Sequence, residues 1–427
     1  MKPLLVNTYD RGGGAAIATL RLHHGLRSIG VESCMLVQAR RTNERWIRGT
    51  GRLLWREMAW LRPRLDSLPT RVYPRRRGDL FTPAWLPDHM ERNVNAQAPD
   101  LVHLHWIAHG FARIESLARL ARSGRPLVWT LHDSWAFTGG CHLPFDCTRY
   151  REACGACPAL GSRDEHDLSR RVWERKRAAW RDIEFTVVTP SLWLAQCVRT
   201  SALLGGARCE VIPNGLDLER FRPGDRAAAR ARLGVAPERS VVLCGGAGIG
   251  RDPNKGLPLL AAALRSLPAE RRATIEVLVF GTEPADRLPD AGVPLRELGF
   301  IHDEAALAAL YAAADVFVAP SLHENLPNTV MEAMACGTPA VAFDLGGLPD
   351  LIEHQRNGWL ARPSQVDDLA RGIEWVLADE NRRRALGERA RAKTEAEFEI
   401  GRVARRYADL YQEVMDRAGG AATRGQV

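Results

Sequence analysis

Long hydrophobic runs are absent from the sequence: no stretch of 18 or more consecutive apolar residues occurs in its 427 residues. A helix that crosses a bilayer needs roughly 20 such residues, so no membrane-spanning segment is predicted. The first residues lead straight into a strand-like segment and lack the apolar core of a signal peptide. The chain is therefore expected to stay in the cytoplasm, where cysteines remain thiols or bind metal.

Lysine is also scarce, with only Lys2, Lys176, Lys255 and Lys393 in the chain, so arginine carries nearly all of the positive charge. The net charge of +8 is concentrated in residues 40–77, where twelve arginines accompany three acidic residues. With 45% hydrophobic and 26% charged residues, the composition is that of a soluble globular protein, and the length suggests two domains.

Tryptophan and leucine are interleaved with the arginines of residues 40–77, as Trp46, Trp55 and Trp60 illustrate. Arginines combined with aromatic and apolar side chains favour contact with an anionic membrane surface. The simpler interpretation is a solvated basic loop in an arginine-rich protein. No motif of nucleic-acid-binding proteins accompanies the charge, so no nucleic-acid partner is expected. The sequence predicts a peripheral association with the inner face of a membrane.

Short apolar runs alternate with helical periodicity in both halves of the chain. The candidate strands are residues 4–7, 33–37, 101–105, 127–131, 185–189, 241–244, 275–280, 316–319 and 340–343. The clearest candidate helices are residues 15–29, 113–123, 257–267, 304–314, 328–336, 366–377 and 381–398. Strands alternating with helices predict two doubly wound α/β domains of the Rossmann type. We place these domains at residues 1–192 and 193–400, followed by a helix at 401–418 and a disordered tail at 419–427.

Two glutamates, Glu324 and Glu332, follow the strand candidate at 316–319 with seven residues between them. Pro327 and Asn328 suit the start of a helix, which places Glu324 in the loop and Glu332 about one turn into the helix. A helix N-terminus attracts phosphate, and carboxylates beside it can accept hydrogen bonds from sugar hydroxyls. The arrangement suits a sugar nucleotide, although a helix-dipole acid and a solvated loop charge would show the same spacing.

A glycine-rich turn follows the strand candidate at 241–244 and contains Gly248, ahead of Arg251 and Lys255. Glycines allow the backbone to approach a diphosphate and present N–H groups to it. Two cations there would stabilise the charge that grows on a leaving nucleoside diphosphate. The alternatives are an ordinary turn after a strand and an exposed lysine at a helix start.

His132 ends a strand candidate of the first domain, at the edge of the sheet where ligands bind in open α/β folds. A structural histidine, oriented by Asp133, is the alternative. His103 and His105 on the preceding strand candidate could equally be packed strand residues.

Four cysteines lie within residues 139–158 and include one Cys-x-x-Cys pair. They are Cys141, Cys147, Cys154 and Cys157. The set fits a structural zinc ion that would hold a long loop together. A reducing cytoplasm disfavours paired disulfides, and an iron–sulfur cluster is a weaker alternative.

The segment at 321–339, which contains both glutamates, resembles the signature of retaining glycosyltransferases of the GT-B group 1 family (family 4). Its form is similar to the subgroup that builds bacterial exopolysaccharide and O-antigen repeats. Further segments that resemble landmarks of the family lie at 100–106, 130–133, 212–217 and 346–350. The resemblance covers nearly all of residues 1–417.

The resemblance implies a GT-B fold, in which two Rossmann-like domains face each other across a cleft and the C-terminal helix returns to the first domain. The first domain is then expected to bind the acceptor and the second the nucleotide-sugar donor. The catalytic candidates are His132, Lys255, Glu324 and Arg251. The donor-binding candidates are Gly13, Gly14, Gly248, Asn214, Leu326, Asn328, Thr329 and Glu332. In this sequence Gly250 stands where the family has its arginine, so Arg251 is displaced by one position.

The resemblance further implies that Glu332 holds the ribose hydroxyls and Glu324 a hydroxyl of the transferred sugar. It implies no cofactor requirement for catalysis, and no Asp-x-Asp metal motif lies near the donor segments. The predicted function is retaining transfer of a sugar from a nucleotide-diphosphate sugar to a lipid-linked saccharide in bacterial surface polysaccharide biosynthesis. The alternatives are a GT-B sugar-nucleotide epimerase and a non-catalytic sugar-nucleotide-binding assembly protein.

Overall fold

The chain divides into two compact units in the computed structural model, which describes residues 1–50 and 58–424. Unit 1 comprises Met1–Pro213 and Gly401–Val427, and unit 2 comprises Asn214–Ile400. Each unit is built on one sheet in which every strand pairing is parallel.

Unit 1 begins with the strands β1 (Pro3–Tyr9), β2 (Cys34–Ala39), β3 (Ile47–Gly49), β4 (Leu101–Leu104), β5 (Leu127–Thr130), β6 (Thr186–Thr189) and β7 (Arg208–Val211). Its helices up to this point are α1 (Gly14–Ser28), α2 (Arg62–Asp66), α3 (Met90–Asn95), α4 (Ile114–Arg122), α5 (Leu168–Trp180) and α6 (Leu192–Arg199). Among the described residues the strand order is β3-β2-β1-β4-β5-β6-β7.

Unit 2 contains the strands β8 (Ser240–Gly245), β9 (Ile275–Phe280), β10 (Leu295–Glu297), β11 (Val316–Ala319), β12 (Ala340–Phe343) and β13 (Gly358–Ala361). Its helices are α7 (Arg226–Leu233), α8 (Leu257–Ser266), α9 (Ala269–Thr274), α10 (Glu304–Ala313), α11 (Asn328–Ala335), α12 (Leu348–Leu351), α13 (Val366–Leu377) and α14 (Glu380–Glu397). The strand order is β10-β9-β8-β11-β12-β13.

Both sheets are buried on their two faces, as their continuous apolar strands require. On β1, Leu4 and Val6 belong to one core cluster and Leu5 to the cluster on the opposite face. On β8, Val241 and Val242 divide in the same way between two clusters. Helices therefore cover both sides of each sheet, which confirms the predicted pair of doubly wound α/β domains.

The last helix, α15 (Ile400–Arg424), packs on the sheet of unit 1. Its residues Val403, Tyr407 and Tyr411 share an apolar cluster with Leu5 of β1 and Val128 of β5. None of the described helices combines the length and the apolar character required to span a membrane.

The structure changes two predicted boundaries. Unit 1 ends after Pro213 rather than after residue 192, because β7 pairs with β6 in the first sheet. The last helix also includes residues 419–424, which were predicted to be disordered, whereas 425–427 lie outside the described residues. The four strands that the sequence did not indicate, β3, β7, β10 and β13, are the edge strands of the two sheets. Such strands are short and partly exposed, so they lack a continuous apolar run.

A buried lysine lies beside the cysteine-rich loop of unit 1. The ammonium of Lys176 donates hydrogen bonds to the backbone carbonyls of Trp135 and Thr138 and lies 3.7 Å from the centre of the Trp135 indole ring. Burial lowers the pKa of Lys176 to about 7. A lysine in the unfolded chain titrates near 10.4, so folding removes a proton from this group at intermediate pH.

We expect Lys176 to contribute a rise of roughly 1–2 kcal/mol in the free energy of unfolding between about pH 7 and pH 8.5, because there the unfolded chain binds the proton that folded Lys176 releases. Lys176→Met should remove this contribution in urea unfolding curves followed by tryptophan fluorescence. Burial raises the pKa of the Cys154 thiol to about 12 and raises the pKa values of other buried thiols, which lowers the free energy of unfolding toward pH 8.5 in both proteins, so the difference between wild type and variant reports Lys176. An unchanged pH dependence in the variant would contradict the assignment.

Candidate active site

The donor-site candidates of unit 2 lie at the point where the strand order reverses. From β8 the chain proceeds outward to β9 and β10, and β11 then returns to the other side of β8. The loops after β8 and β11 therefore diverge at the carboxyl edge of the sheet, which is where open α/β sheets bind their ligands.

Hydrogen bonds hold these two loops together. Leu322 donates its backbone N–H to the carbonyl of Asn254 at 2.8 Å, and the Asn254 side-chain amide donates to the carbonyl of His323 at 2.9 Å. Gly256 has a φ of +66°, and a Cβ on it would lie 1.9 Å from the Pro320 carbonyl oxygen, so this close approach requires glycine.

The docked loops bring Lys255 and Glu324 into direct contact. The Lys255 ammonium lies 2.7 Å from Glu324 Oε1, and both side chains remain partly accessible. The Glu324 carboxylate raises the pKa of Lys255, so the lysine keeps its charge at neutral pH. The sequence indicated both residues separately, and the structure places them in one ion pair.

The start of α11 is held beside this pair. Pro327 is the N-cap residue and Asn328 the first helical residue, and Thr329 follows in the first turn. The Asn214 side-chain amide donates to Asn328 Oδ1 at 3.1 Å and to the Leu326 carbonyl at 3.4 Å. Four donor-site candidates therefore lie at one helix start: Asn214, Leu326, Asn328 and Thr329. The first backbone N–H groups of a helix have no carbonyl partner within the helix, so this position favours an anion.

Glu332 lies one turn inside α11 and is almost completely buried, with 3% of its surface exposed. Its Oε2 accepts a hydrogen bond from the Tyr311 hydroxyl at 2.9 Å. Tyr311 itself packs edge-on against Phe280 and Phe317. The Glu332 carboxylate is therefore held in one orientation inside unit 2 and not exposed on the helix surface.

Two candidates in the loop after β8 make contacts that the sequence did not indicate, and their roles stay predictions. The N–H of Gly248 donates to the Gly281 carbonyl at 3.1 Å. Arg251 contacts neither Lys255 nor Glu324 in the hydrogen bonds and ion pairs of the described residues. Its guanidinium instead pairs with Asp286 at 2.6 Å and Glu283 at 2.5 Å.

Asp286 also explains the glycine that replaces the family arginine. A Cβ at Gly250 would lie 2.3 Å from the Asp286 carboxylate, so no side chain fits there unless Asp286 moves. The Asp286 carboxylate is fully buried and is held by Arg251. The sequence could not indicate this pairing, because 35 residues separate the two partners.

In unit 1 the equivalent reversal of strand order lies between β1 and β4. Gly13 is the N-cap of α1 and Gly14 its first residue. The space beside Gly13 is open, so the turn could admit a ligand close to the backbone. His132 follows β5 at the same edge of this sheet.

His132 contacts a histidine that follows the neighbouring strand β4. His132 Nε2 lies 3.0 Å from His105 Nδ1. Burial lowers the pKa of His132 to about 4, so its imidazole is neutral at physiological pH. The Asp133 carboxylate is engaged elsewhere, with Trp106 Nε1 and His142 Nδ1 both at 2.6 Å.

A further buried histidine, His103, connects His105 to the last helix, α15. The His103 and His105 ring centres are 4.1 Å apart. His103 Nδ1 lies 2.6 Å from the Tyr411 hydroxyl of α15, and its Nε2 lies 2.7 Å from Thr130 Oγ1. The alternation of His103 and His105 along one strand was the sequence signal for this network, but the partner on α15 is distant in sequence.

The zinc site predicted for the four cysteines of the 139–158 loop stays a prediction. In residues 1–50 and 58–424, no three His, Cys, Asp or Glu side chains are arranged to hold a metal ion. Cys141 and Cys157 pack in an apolar cluster with Phe81 and Leu160. Burial raises the pKa values of both thiols, and the neighbouring thiol of Cys147 acts on each in the same direction.

Comparison with known proteins identifies the chain. Residues 12–220 match the family model described as Glycosyltransferase Family 4, and residues 226–393 match Glycosyl transferases group 1. The D-inositol 3-phosphate glycosyltransferase of Saccharomonospora viridis is 32% identical over 338 residues, which covers 76% of this chain and 72% of that protein. The protein of the same name from Nocardia farcinica is 32% identical over 345 residues, covering 76% and 67%.

Solved structures show the same architecture. Sucrose-phosphate synthase from Thermosynechococcus elongatus has a TM-score of 0.70 at 21% identity and covers 97% of this chain and 99% of its own. HepE from Anabaena, in complex with UDP-glucose, has a TM-score of 0.63 at 20% identity, with 97% and 100% covered.

The two doubly wound units and these structural neighbours define the GT-B class of glycosyltransferases. The chain belongs to the group 1 glycosyltransferases, family 4, and is a transferase. The predictions of fold and enzyme class are confirmed. The relatives named above are inositol-phosphate enzymes, so membership of the exopolysaccharide subgroup stays a prediction.

Proposed function

We propose that this glycosyltransferase takes its sugar from a nucleotide-diphosphate sugar bound at the start of α11 and transfers it with retention of anomeric configuration. The observation that supports this most directly is the Lys255–Glu324 pair beside that helix start, with Glu332 buried one turn further on. A cation, a positively polarised helix end and two carboxylates are complementary to a diphosphate that carries a sugar at each end. HepE, which shares the fold, was solved with UDP-glucose.

The ion pair has to open when the donor binds. The ammonium of Lys255 would pair with the diphosphate instead of with Glu324. The Glu324 carboxylate would then accept a hydrogen bond from a hydroxyl of the transferred sugar. Glu332 would hold the ribose hydroxyls. As the bond between the anomeric carbon and the diphosphate oxygen breaks, negative charge grows on that oxygen, and Lys255 stabilises it.

The acceptor hydroxyl attacks the anomeric carbon on the face from which the diphosphate leaves. Its oxygen forms the new glycosidic bond, and its proton passes to the departing diphosphate oxygen. No side chain needs to form a covalent intermediate, so positioning and charge stabilisation supply the catalysis. The neutral imidazole of His132, in contact with His105, can form a hydrogen bond with a hydroxyl group, so the sequence-based candidate is chemically suited to a sugar ligand.

For the acceptor we propose a hydroxyl of a lipid-linked saccharide in surface polysaccharide biosynthesis, at the cytoplasmic face of the membrane. The basic and apolar segment of unit 1 supports this choice. The second candidate is an inositol phosphate, which the names of the relatives at 32% identity favour. Transfer of a radiolabelled sugar to each class of acceptor distinguishes the two.

Thermal unfolding with a panel of UDP-, GDP-, ADP- and dTDP-sugars tests the donor site. At about 100 times its Kd, the correct donor should stabilise unit 2 by about 2.7 kcal/mol, which corresponds to a rise in Tm of roughly 5–10 °C for a unit of this size. The shift should be absent in Glu332→Gln, which keeps the shape of the side chain but removes its charge. Failure of every nucleotide sugar to raise Tm would contradict the proposal.

A further inference from the structure

Exposed apolar side chains are concentrated in one part of unit 1. Nine large hydrophobic residues are exposed in the described part of the chain, and six of them fall within residues 60–85. These six are Trp60, Leu61, Leu68, Val72, Leu80 and Trp85, with exposed fractions between 37% and 75%. Exposed apolar clusters of this kind mark interaction sites, whereas single exposed apolar residues are common.

The charges of the same segment have one sign. Every exposed charged side chain in residues 58–85 is an arginine, and these are Arg64, Arg71, Arg75, Arg76 and Arg77. The acidic residues of the segment are withdrawn from the surface, since Asp66 is buried and Asp79 is only partly accessible. The surface therefore combines apolar side chains with uncompensated positive charge.

The segment is anchored to the body of unit 1 by buried polar contacts. The guanidinium of Arg62, which is 7% exposed, donates to the carbonyl of Gly110 at 2.8 Å and to that of Pro87 at 2.6 Å. The Trp85 indole N–H donates to the Asp66 carbonyl at 3.1 Å. The exposed apolar and arginine side chains therefore project from a backbone that these hydrogen bonds fix in place.

The cysteine-rich loop supports the other end of the segment. Phe81 forms a β-bridge with Cys141, and both pack with Cys157 in one apolar cluster. The Arg77 N–H donates to the Ala159 carbonyl at 3.1 Å. Through these contacts the loop holds the segment in place.

We propose that residues 58–85 of unit 1 form a docking surface for an anionic lipid bilayer. Tryptophan, leucine and valine can enter the boundary between headgroups and acyl chains, while the arginines contact anionic headgroups. A second copy of the chain is disfavoured as the occupant, because two such surfaces would repel each other. The inference deepens the proposed lipid-linked acceptor, but its test does not depend on the donor chemistry.

Co-sedimentation with vesicles tests the proposal. The full-length protein should bind phosphatidylcholine vesicles that contain about 30% phosphatidylglycerol at least about tenfold more tightly than pure phosphatidylcholine vesicles. The triple variant Arg75→Gln, Arg76→Gln, Arg77→Gln should lose at least about tenfold in affinity, and so should Trp60→Ser combined with Val72→Ser. Added salt should weaken the binding of the wild-type protein.

Matched controls distinguish binding through this surface from nonspecific binding through positive charge or exposed apolar side chains elsewhere. Arg122→Gln, Arg171→Gln and Arg181→Gln remove three exposed arginines of the same unit, and Leu192→Ser removes an exposed leucine outside the segment. These variants should bind as the wild-type protein does.

Three results would overturn the proposal. They are wild-type protein that stays in the supernatant with anionic vesicles, equal losses in the control variants, and self-association in sedimentation velocity that Trp60→Ser abolishes. The thermal shift with nucleotide sugars reports on unit 2 separately, so vesicle binding can fail while the proposed donor site holds.

Discussion

Replacing Lys255 with methionine should reduce kcat/KM for the donor by about 10²–10³-fold and weaken binding of the nucleoside diphosphate product by at least about tenfold. Methionine keeps the length of the side chain and removes the ammonium that lies 2.7 Å from Glu324. The leaving diphosphate oxygen carries more negative charge in the transition state than in the bound donor, so the loss should be larger in kcat than in KM. Release of nucleoside diphosphate from the donor identified by thermal shift provides the assay.

Two other variants serve as comparisons for Lys255→Met. Lys393→Met removes a lysine that pairs with Glu353 on unit 2, and it should change the rate by less than about threefold. Arg251→Met should be much milder than Lys255→Met, because the Arg251 guanidinium pairs with Asp286 and Glu283. If Lys255→Met retained more than about a tenth of the wild-type kcat/KM, the assigned role would be wrong.

Asp315→Ala should destabilise unit 2 by about 3–5 kcal/mol. The Asp315 carboxylate is 2% exposed, accepts the Val241 N–H at 2.7 Å and pairs with the guanidinium groups of Arg226, Arg230 and Arg383. Alanine would leave arginine charge without its carboxylate partner in a largely buried position. It would also remove the acceptor that ties the start of β11 to the start of β8.

Hydrogen exchange of peptides from β8 and β11 measures this loss in unit 2 alone, which avoids assuming that the whole chain unfolds in one step. Glu395→Gln is the matched control, since its partner Arg391 lies one turn away on α14 and Glu395 is 54% exposed. That variant should lose less than about 1 kcal/mol. A loss below about 1 kcal/mol in Asp315→Ala would show that the three arginines are solvated in its absence.

Much of the fold could be predicted from local pattern. The strands at 241–244 and 316–319 are continuous apolar runs, because central strands of a parallel sheet are buried on both faces. The edge strand β7 has every residue half-buried and contains Arg208 and Glu210, so it shows no such run. Missing it placed the domain boundary about twenty residues too early.

The positions of the candidate residues were predictable wherever they follow directly from a strand end or a helix start. Lys255, Glu324 and Glu332 lie where the sequence placed them. The partner of Arg251 could not be predicted, because Asp286 comes from another loop and no local spacing reports it. The same reason applies to Asp133, which is next to His132 in sequence but binds Trp106 and His142.

The sequence by itself determined the class of this protein: alternating strands and helices, a glycine-rich turn, and two glutamates around a helix start that suits a diphosphate. Only the tertiary structure decided which charges meet, that His132 contacts His105 while Asp133 binds Trp106 and His142, and that the cysteine loop packs under residues 73–82. Periodicity reports burial along one element, whereas these contacts join elements that are distant in the chain, and burial there decides whether a group is paired, neutral or available.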